Sequence, residues 1–276
     1  MQPIVASSWR TAAVKKARHF VAAGEAARRL GVTPVTIQRW ADQGVIAAER
    51  TAGGHRRIPV AEVSRLLTSS RAAKSGEVAD WVATLMTADA DRIHAALAEA
   101  RMRAQNWATI ADEVAAAVNE IGRSWEDGDC AGFEEQMASE ALRRAAIRCV
   151  AGVPRPPAAP AALLLTVEND RHTLGLSLAE LVFAERGWRT LWVGEGPPRS
   201  ELEAMVDALK PDLVAASASL FFATPELRPY QRTLVRLAIT RGFPLLLGGA
   251  APWAESGEGH RLPSFCKLDL WLESAR

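Results

Sequence analysis

Asp170, His172 and Gly175, in the stretch ENDRHTLG (168–175), have the types and spacing for metal chemistry. One imidazole nitrogen can bind a metal while the other donates to a carboxylate close by. That contact fixes the tautomer and raises the basicity of the ligand. Gly175 lets the segment that follows approach a bulky ligand. Taken alone, Asp-x-His is also what a loop histidine capped by an aspartate looks like. The three cysteines, Cys130, Cys149 and Cys266, are widely spaced and odd in number. They make neither a zinc pattern nor a disulfide framework, so a reducing cytoplasm is expected. No apolar run reaches the length of a membrane span, and the first twenty residues lack the apolar stretch of a signal peptide.

The elements around His172 decide how the motif is read. Residues 163–168, 190–195, 213–217 and 244–249 form apolar runs that read as buried strands. Helical stretches at 174–187, 200–209 and about 226–241 alternate with them. This alternation predicts a doubly wound parallel sheet covered on both faces. His172 then lies just beyond the carboxyl end of the first strand, where open α/β sheets bind ligands. Ser217 and Ser219 follow at the end of the third strand, and Gly248-Gly249 at the end of the fourth. Upstream, GVPRPPAAPAA from Gly152 contains four prolines and marks a boundary. Before it, residues 78–152 carry apolar positions at helical spacing, with breaks near Asp89, Asn106 and Gly128. They predict a four-helix bundle. Trp125 in that bundle offers a large flat surface to a ligand, or equally a core side chain packed on Ile121. Glu135 can accept hydrogen bonds from hydroxyls or an amine. Six further tryptophans, Trp81, Trp107, Trp188, Trp192, Trp253 and Trp271, are read as core or interface.

The net charge of +1 conceals an asymmetry. Residues 1–75 carry 13 Lys and Arg against 4 Asp and Glu, a net of +9, and the remainder a net of −8. The first quarter would attract phosphate and the rest would repel it. Residues 1–19 read as a basic arm, 20–68 as a compact helix–turn–helix unit, and 69–77 as a linker. Gly31 ends a first helix. Thr33 caps a second with Pro34 at its first position. In VTIQRWADQG, Ile37 and Trp40 face inward and Thr36, Gln38 and Arg39 outward, as in a recognition helix whose first half enters the major groove. Gln38 can read adenine and Arg39 guanine or phosphate. Gly53-Gly54 then turns between two short strands. His55, Arg56 and Arg57 lie where a wing meets the backbone or minor groove.

GEAARRLGV, TIQRW and GGHRR, in that order, resemble the MerR family of winged helix-turn-helix regulators. Asp170, His172 and Gly175, a serine after 41 residues (Ser217, or Ser219) and Gly248-Gly249 resemble the cobalamin-binding fold. The resemblance implies His172 as the lower axial ligand of cobalt. It implies a displaced benzimidazole tail, contacted by Ser217 or Ser219 and given room by Gly248-Gly249. Head, bundle and cobalamin fold together resemble the light-responsive repressors of the CarH and LitR type. That family shields the adenosyl group of adenosylcobalamin with a Trp-x9-Glu-His motif. Trp125 and Glu135 match it, while Gln136 stands in place of the histidine. Glu126 stands where the family often has a histidine able to replace the lost upper ligand.

The expected architecture is multidomain α and α/β: a winged helix-turn-helix (20–68), a four-helix bundle (78–152) and a Rossmann-like cobalamin-binding domain (160–276). The implied function is that of a non-enzymatic, cobalamin-dependent DNA-binding regulator and light-responsive repressor. Its partners would be a double-stranded operator and further copies of itself. The ligand, touching bundle and sheet on its two faces, would join them. Competing readings are a corrinoid methyl carrier or mutase subunit, for which no catalytic dyad or substrate motif is seen, and a regulator governed by another ligand or by a protein partner.

Overall fold

The computed structural model describes residues 20–30, 33–42, 44, 46–51, 54–104, 106–156, 158–219, 227–254 and 259–275, without the side chains of 66–75. The expected basic arm (1–19), the helix end at Gly31 and the turn residue Gly53 lie outside the described residues. The chain divides into two compact units, Met1–Gly76 and Glu77–Arg276.

In the first unit, β1 (Phe20–Ala22), β2 (Glu49–Arg50) and β3 (Arg56–Pro59) form an antiparallel sheet of order β1-β3-β2. Two short helices, α1 (Ala23–Leu30) and α2 (Pro34–Asp42), pack with it. Ala26, Ala27, Ile37, Ile46, Ile58 and Val63 make their common core. The α2 amide of Thr36 donates to Thr33 Oγ1 at 3.2 Å, the cap expected ahead of Pro34. Strand β1, ahead of the first helix, has no counterpart in the sequence reading. Three residues are too few for a periodic signal.

Helix α3 (Val60–Leu85) runs through residues 69–77, which are therefore helix and not a linker. The segment SSRAAKSGE contains no proline. Its Arg, Ala, Lys and Glu favour helix strongly enough to carry two Ser-rich ends and Gly76. The second unit contains the end of α3 with α4 (Ala90–Arg103), α5 (Trp107–Glu126) and α6 (Gly132–Ala151). Asp89 Oδ1 caps α4 and Asn106 Oδ1 caps α5, at the two breaks read from the sequence. Gly128 takes φ +83° in the turn before α6, a conformation that suits glycine.

After the proline-rich turn the chain alternates β4 (Ala161–Glu168), α7 (Leu174–Glu185), β5 (Arg189–Gly196), α8 (Leu202–Leu209) and β6 (Leu213–Ser217). It continues through α9 (Leu227–Arg241), β7 (Leu245–Gly248), β8 (Gly259–Arg261) and α10 (Phe265–Ser274). The five strands are parallel in the order β5-β4-β6-β7-β8. The chain leaves β4 for one neighbour and later returns to the other side, so the carboxyl end of β4 is a topological switch point.

Alternation along β4 sends Leu163, Leu165 and Val167 to one face, against Leu202, Val206 and Leu234 of α8 and α9. Ala162 and Leu164 point to the other face, which is continuous with α7, α10 and the bundle core. Each such leucine, fully buried, contributes about 1.5–3 kcal/mol. Bundle and sheet thus share one core. Glu185 at the end of α7 accepts from Arg101 Nη2 at 2.6 Å and from the Trp107 amide at 2.7 Å. Asp112 of α5 accepts from the amides of Phe265 and Cys266 at the start of α10, at 2.7 and 3.1 Å. Protein contacts therefore already join the two parts, where the sequence reading leaves that task to the ligand. No described helix is long and apolar enough to cross a membrane.

Candidate ligand site and nucleic-acid interface

Beyond the end of β4, Asn169 adopts φ +66° and turns the chain so that Asp170 is fully buried and the His172 side chain 61% exposed. Asp170 Oδ1 accepts from the His172 amide at 3.0 Å and meets His172 Nδ1 at 2.7 Å. Its Oδ2 accepts from the Ser219 amide at 2.6 Å. A buried carboxylate is costly unless every lone pair finds a donor. Here its donors tie the β4 and β6 loops together. The imidazole is oriented through Nδ1, the kind of contact that fixes the tautomer of a histidine ligand.

Thr166 supports this corner from inside β4. Its hydroxyl donates to the Asp170 carbonyl and accepts from the Gly196 amide at 2.9 Å. The sequence reading passes over Thr166, although a buried hydroxyl inside the apolar run LLLTVE is the signal for it. Ser217 is buried at the end of β6, with its Oγ 4.0 Å from where a Cβ on Gly175 would stand. Ser219 Oγ is buried and has no hydrogen-bond partner among the described residues. A buried hydroxyl of this kind calls for a partner that the described residues do not supply.

The two glycines differ. At Gly249 φ is +81° and a Cβ would stand 2.2 Å from the Ala218 carbonyl, so the backbone itself requires glycine. At Gly248 a Cβ would meet the Ala216 carbonyl at 4.0 Å, an ordinary contact, so the backbone there does not itself require glycine. Trp253 Nε1 donates to the Gly248 carbonyl at 2.7 Å, and the Gln231 amide both donates to Ala254 O and accepts from Ala254 N. These contacts fix residues 253–254 after β7. Tyr230 donates to the Pro197 carbonyl at 3.3 Å, and burial, then the nearby Glu168, raise its pKa and keep it neutral.

The bundle residues are placed differently. Trp125, in the last turn of α5, is 46% exposed, so it is not the core side chain that its spacing from Ile121 allows. A Cβ on Gly132 would stand 3.1 Å from Trp125 Nε1, so the indole lies over the start of α6. Glu135 is half-buried and accepts from Ser139 Oγ at 2.9 Å. Gln136 and Glu126 are exposed. Trp81, Trp107, Trp188 and Trp253 are core and Trp271 is partly buried, whereas Trp192 is 40% exposed on edge strand β5.

In the first unit Gln38 and Arg39 are exposed as expected, and Ile37 is buried. Thr36 is half-buried with its hydroxyl 2.9 Å from Thr33 Oγ1, round the helix from the outward face. Val35 takes the outward position instead, 71% exposed. Between β2 and β3, Gly54 adopts φ +79° and the Thr51 amide donates to the His55 carbonyl at 2.9 Å. His55 and Arg57 are exposed, but Arg56 is half-buried and ion-paired to Asp42 at the end of α2. Arg56 therefore fixes the wing against α2 instead of presenting a free cation. Gln38, Gly54, His55, Arg56 and Arg57 line one cleft of about 340 Å³.

Residues 23–58 match the family described as MerR family regulatory protein. Over 86% of its length the chain is 26% identical to the HTH-type transcriptional repressor CarH of Myxococcus xanthus, and it spans 91% of that protein. It is 28% identical over 42% of its length to the HTH-type transcriptional repressor CarA of the same organism, covering 39% of it. The monomethylamine corrinoid protein of Methanosarcina barkeri superposes on 71% of this chain and 96% of its own, with a TM-score of 0.54 and 14% identity, and so shares the fold of the second unit. The head thus matches the MerR family model, the second unit shares the fold of a corrinoid protein, and the chain resembles the CarH repressor over most of its length.

Proposed function

We propose that the chain is a cobalamin-dependent DNA-binding transcriptional regulator, a repressor that uses adenosylcobalamin and holds its cobalt through His172. The observation that carries this reading is an exposed imidazole fixed by a fully buried aspartate at the switch point of a parallel sheet. Among the described residues no group of three or more metal-binding side chains converges. A single imidazole suits a metal that brings its other ligands in a macrocycle. The unpartnered hydroxyl of Ser219 suits a polar tail descending beside β6.

The bundle geometry supports Trp125 as a cover for the opposite face. Glu185 ends α7 and binds the first residue of α5. From that junction α7 extends 12 residues, about 18 Å, and α5 20 residues, about 30 Å, at 1.5 Å per residue. The far end of α5 has the reach to project past the start of α7, beside which His172 lies.

When bound, adenosylcobalamin supplies a cobalt–carbon bond that light can break. The rest belongs to the chain. Asp170 holds the His172 tautomer, Trp125 covers the upper side, and Glu135 offers a carboxylate to ribose hydroxyls. Because bundle and sheet are already joined at Glu185 and Asp112, the ligand adjusts their free ends near Trp125. That adjustment sets the surface for self-association, and association multiplies the winged heads, hence phosphate contacts, on one operator. The ligand shifts the balance only by its differential affinity for the two arrangements. The reading carries no enzymatic role. Glu126 and Gln136, exposed where relatives of the light-responsive type carry histidines, favour a second reading in which the ligand is sensed without light.

The test is an absorption spectrum of the full chain with adenosylcobalamin, in the dark and after green light, read beside its size-exclusion elution. A bound red chromophore that is lost on His172→Ala is expected. No binding at micromolar concentration would sink the proposal. Binding without any change under light would remove only the photoreceptor part.

A further inference from the structure

On α2, residues 35, 38, 39 and 42 fall on one side at about 100° per residue, and Ile37, Trp40 and Ala41 on the other. The side chains obey this division. Val35 is 71% exposed, Gln38, Arg39 and Asp42 are exposed, and Ile37 is buried. Asp42 would set a negative charge on that face, but it is paired with Arg56 and lies 3.8 Å from Arg50 of the wing. The outward face of the first two turns is therefore one apolar side chain beside one amide and one guanidinium. A β-branched residue is a poor choice for an exposed helix position, in propensity and in solvation alike. Gln38, one turn on from Val35 on the same helix face, also lines the cleft with the wing.

In the major groove the thymine C5-methyl is the apolar group that a base edge presents, and adenine N6/N7 is the pattern that an amide matches. We propose that Val35 is a base-reading residue that packs its methyls against a thymine methyl, next to an adenine read by Gln38, so that each half-site carries A·T pairs under the start of α2. The inference rests on the DNA-binding reading above and deepens it. It also replaces Thr36, whose hydroxyl is engaged with Thr33, as the residue that reads sequence there.

The experiment selects sites from a random duplex library with the full chain, loaded with adenosylcobalamin in the dark. The selected site is then rebuilt with deoxyuridine replacing thymine at one position at a time, which deletes only the methyl. One position is expected at which the unmodified chain loses about fourfold in affinity, the worth of one buried methyl. Val35→Ala, which leaves an exposed position and the fold unchanged, should bind thymine and uracil there equally. Gln38→Ala should relax the choice of base at the neighbouring pair. If every uracil is tolerated, or if Val35→Ala keeps the full preference for the methyl, the inference is overturned while DNA binding stands. If no sequence is enriched at all, the DNA-binding reading fails and takes the inference with it.

Discussion

The two sides of the candidate ligand site are built to different standards. Below, His172 rests on a buried carboxylate whose hydrogen bonds reach two loops, and Thr166, Gln231 and Trp253 brace the strands and loops around it. On the side proposed to cover the ligand, Trp125, Glu126 and Gln136 stand exposed at the ends of two helices. The lower side is fixed before any ligand arrives. The upper side has side chains that can still move. In a sensor this division is useful, since the rigid side supplies affinity and the adjustable side registers which upper group is present.

The comparison predicts large losses below and small, selective ones above. His172→Ala should weaken cobalamin binding most, by at least about 100-fold, because the metal loses its protein ligand outright. Spectral titration measures it, and retention of affinity would mean that His172 is not the ligand. Asp170→Asn comes next. It keeps the size of the side chain but cannot accept from both His172 and Ser219, so affinity should fall about 10–100-fold. The same variant should lose about 1–3 kcal/mol of stability in urea without ligand, since a buried amide donor would face the Ser219 amide. Trp125→Ala should cost stability within about 0.5 kcal/mol, being half-exposed. Covering its open face is worth about 1.5 kcal/mol, so adenosylcobalamin should bind roughly tenfold more weakly. Hydroxocobalamin, with no large upper group to cover, should be unaffected. Equal losses for both ligands would erase the distinction between the two sides.

The same asymmetry governs what could be read from sequence. The sheet, its order of helices and the place of Asp170, His172 and Gly175 follow from apolar runs and their spacing, because a sheet covered on both faces leaves little freedom. The bundle breaks at Asp89 and Asn106 were legible because caps are local. Three things were not. Strands β1 and β8 are too short to show a period, and α10 follows them without a boundary the eye can find. The linker at 69–77 is helix because weak local signals yield to continuity with strong helix on both sides. Exposure could not be read either. Trp125 has core spacing yet faces out, Thr36 lies round the helix from the outward face and turns to Thr33, and Arg56 is held by Asp42. Each depends on a partner distant in sequence or on a rotamer, and a pattern of residue types encodes neither.

The smallest expected effect is the one that isolates the upper side. Glu126 follows Trp125 at the end of α5 and is exposed, so Glu126→His should leave folding unchanged within about 0.5 kcal/mol and dark affinity within about twofold. What it changes is the donor next to the upper face. A carboxylate oxygen is a hard, weak partner for a low-spin metal, and a neutral imidazole nitrogen a far better one. After green light the variant should therefore hold a spectrum distinct from that of the unmodified chain and keep it on return to darkness. Its elution volume should shift with the spectrum if the end of α5 controls self-association. Spectra that coincide before and after light would mean that residue 126 does not face the metal, and Gln136→His would then be the position to examine. Should both variants match the unmodified chain, the end of the bundle does not cover the ligand, and the contrast between a fixed lower side and a responsive upper side is lost.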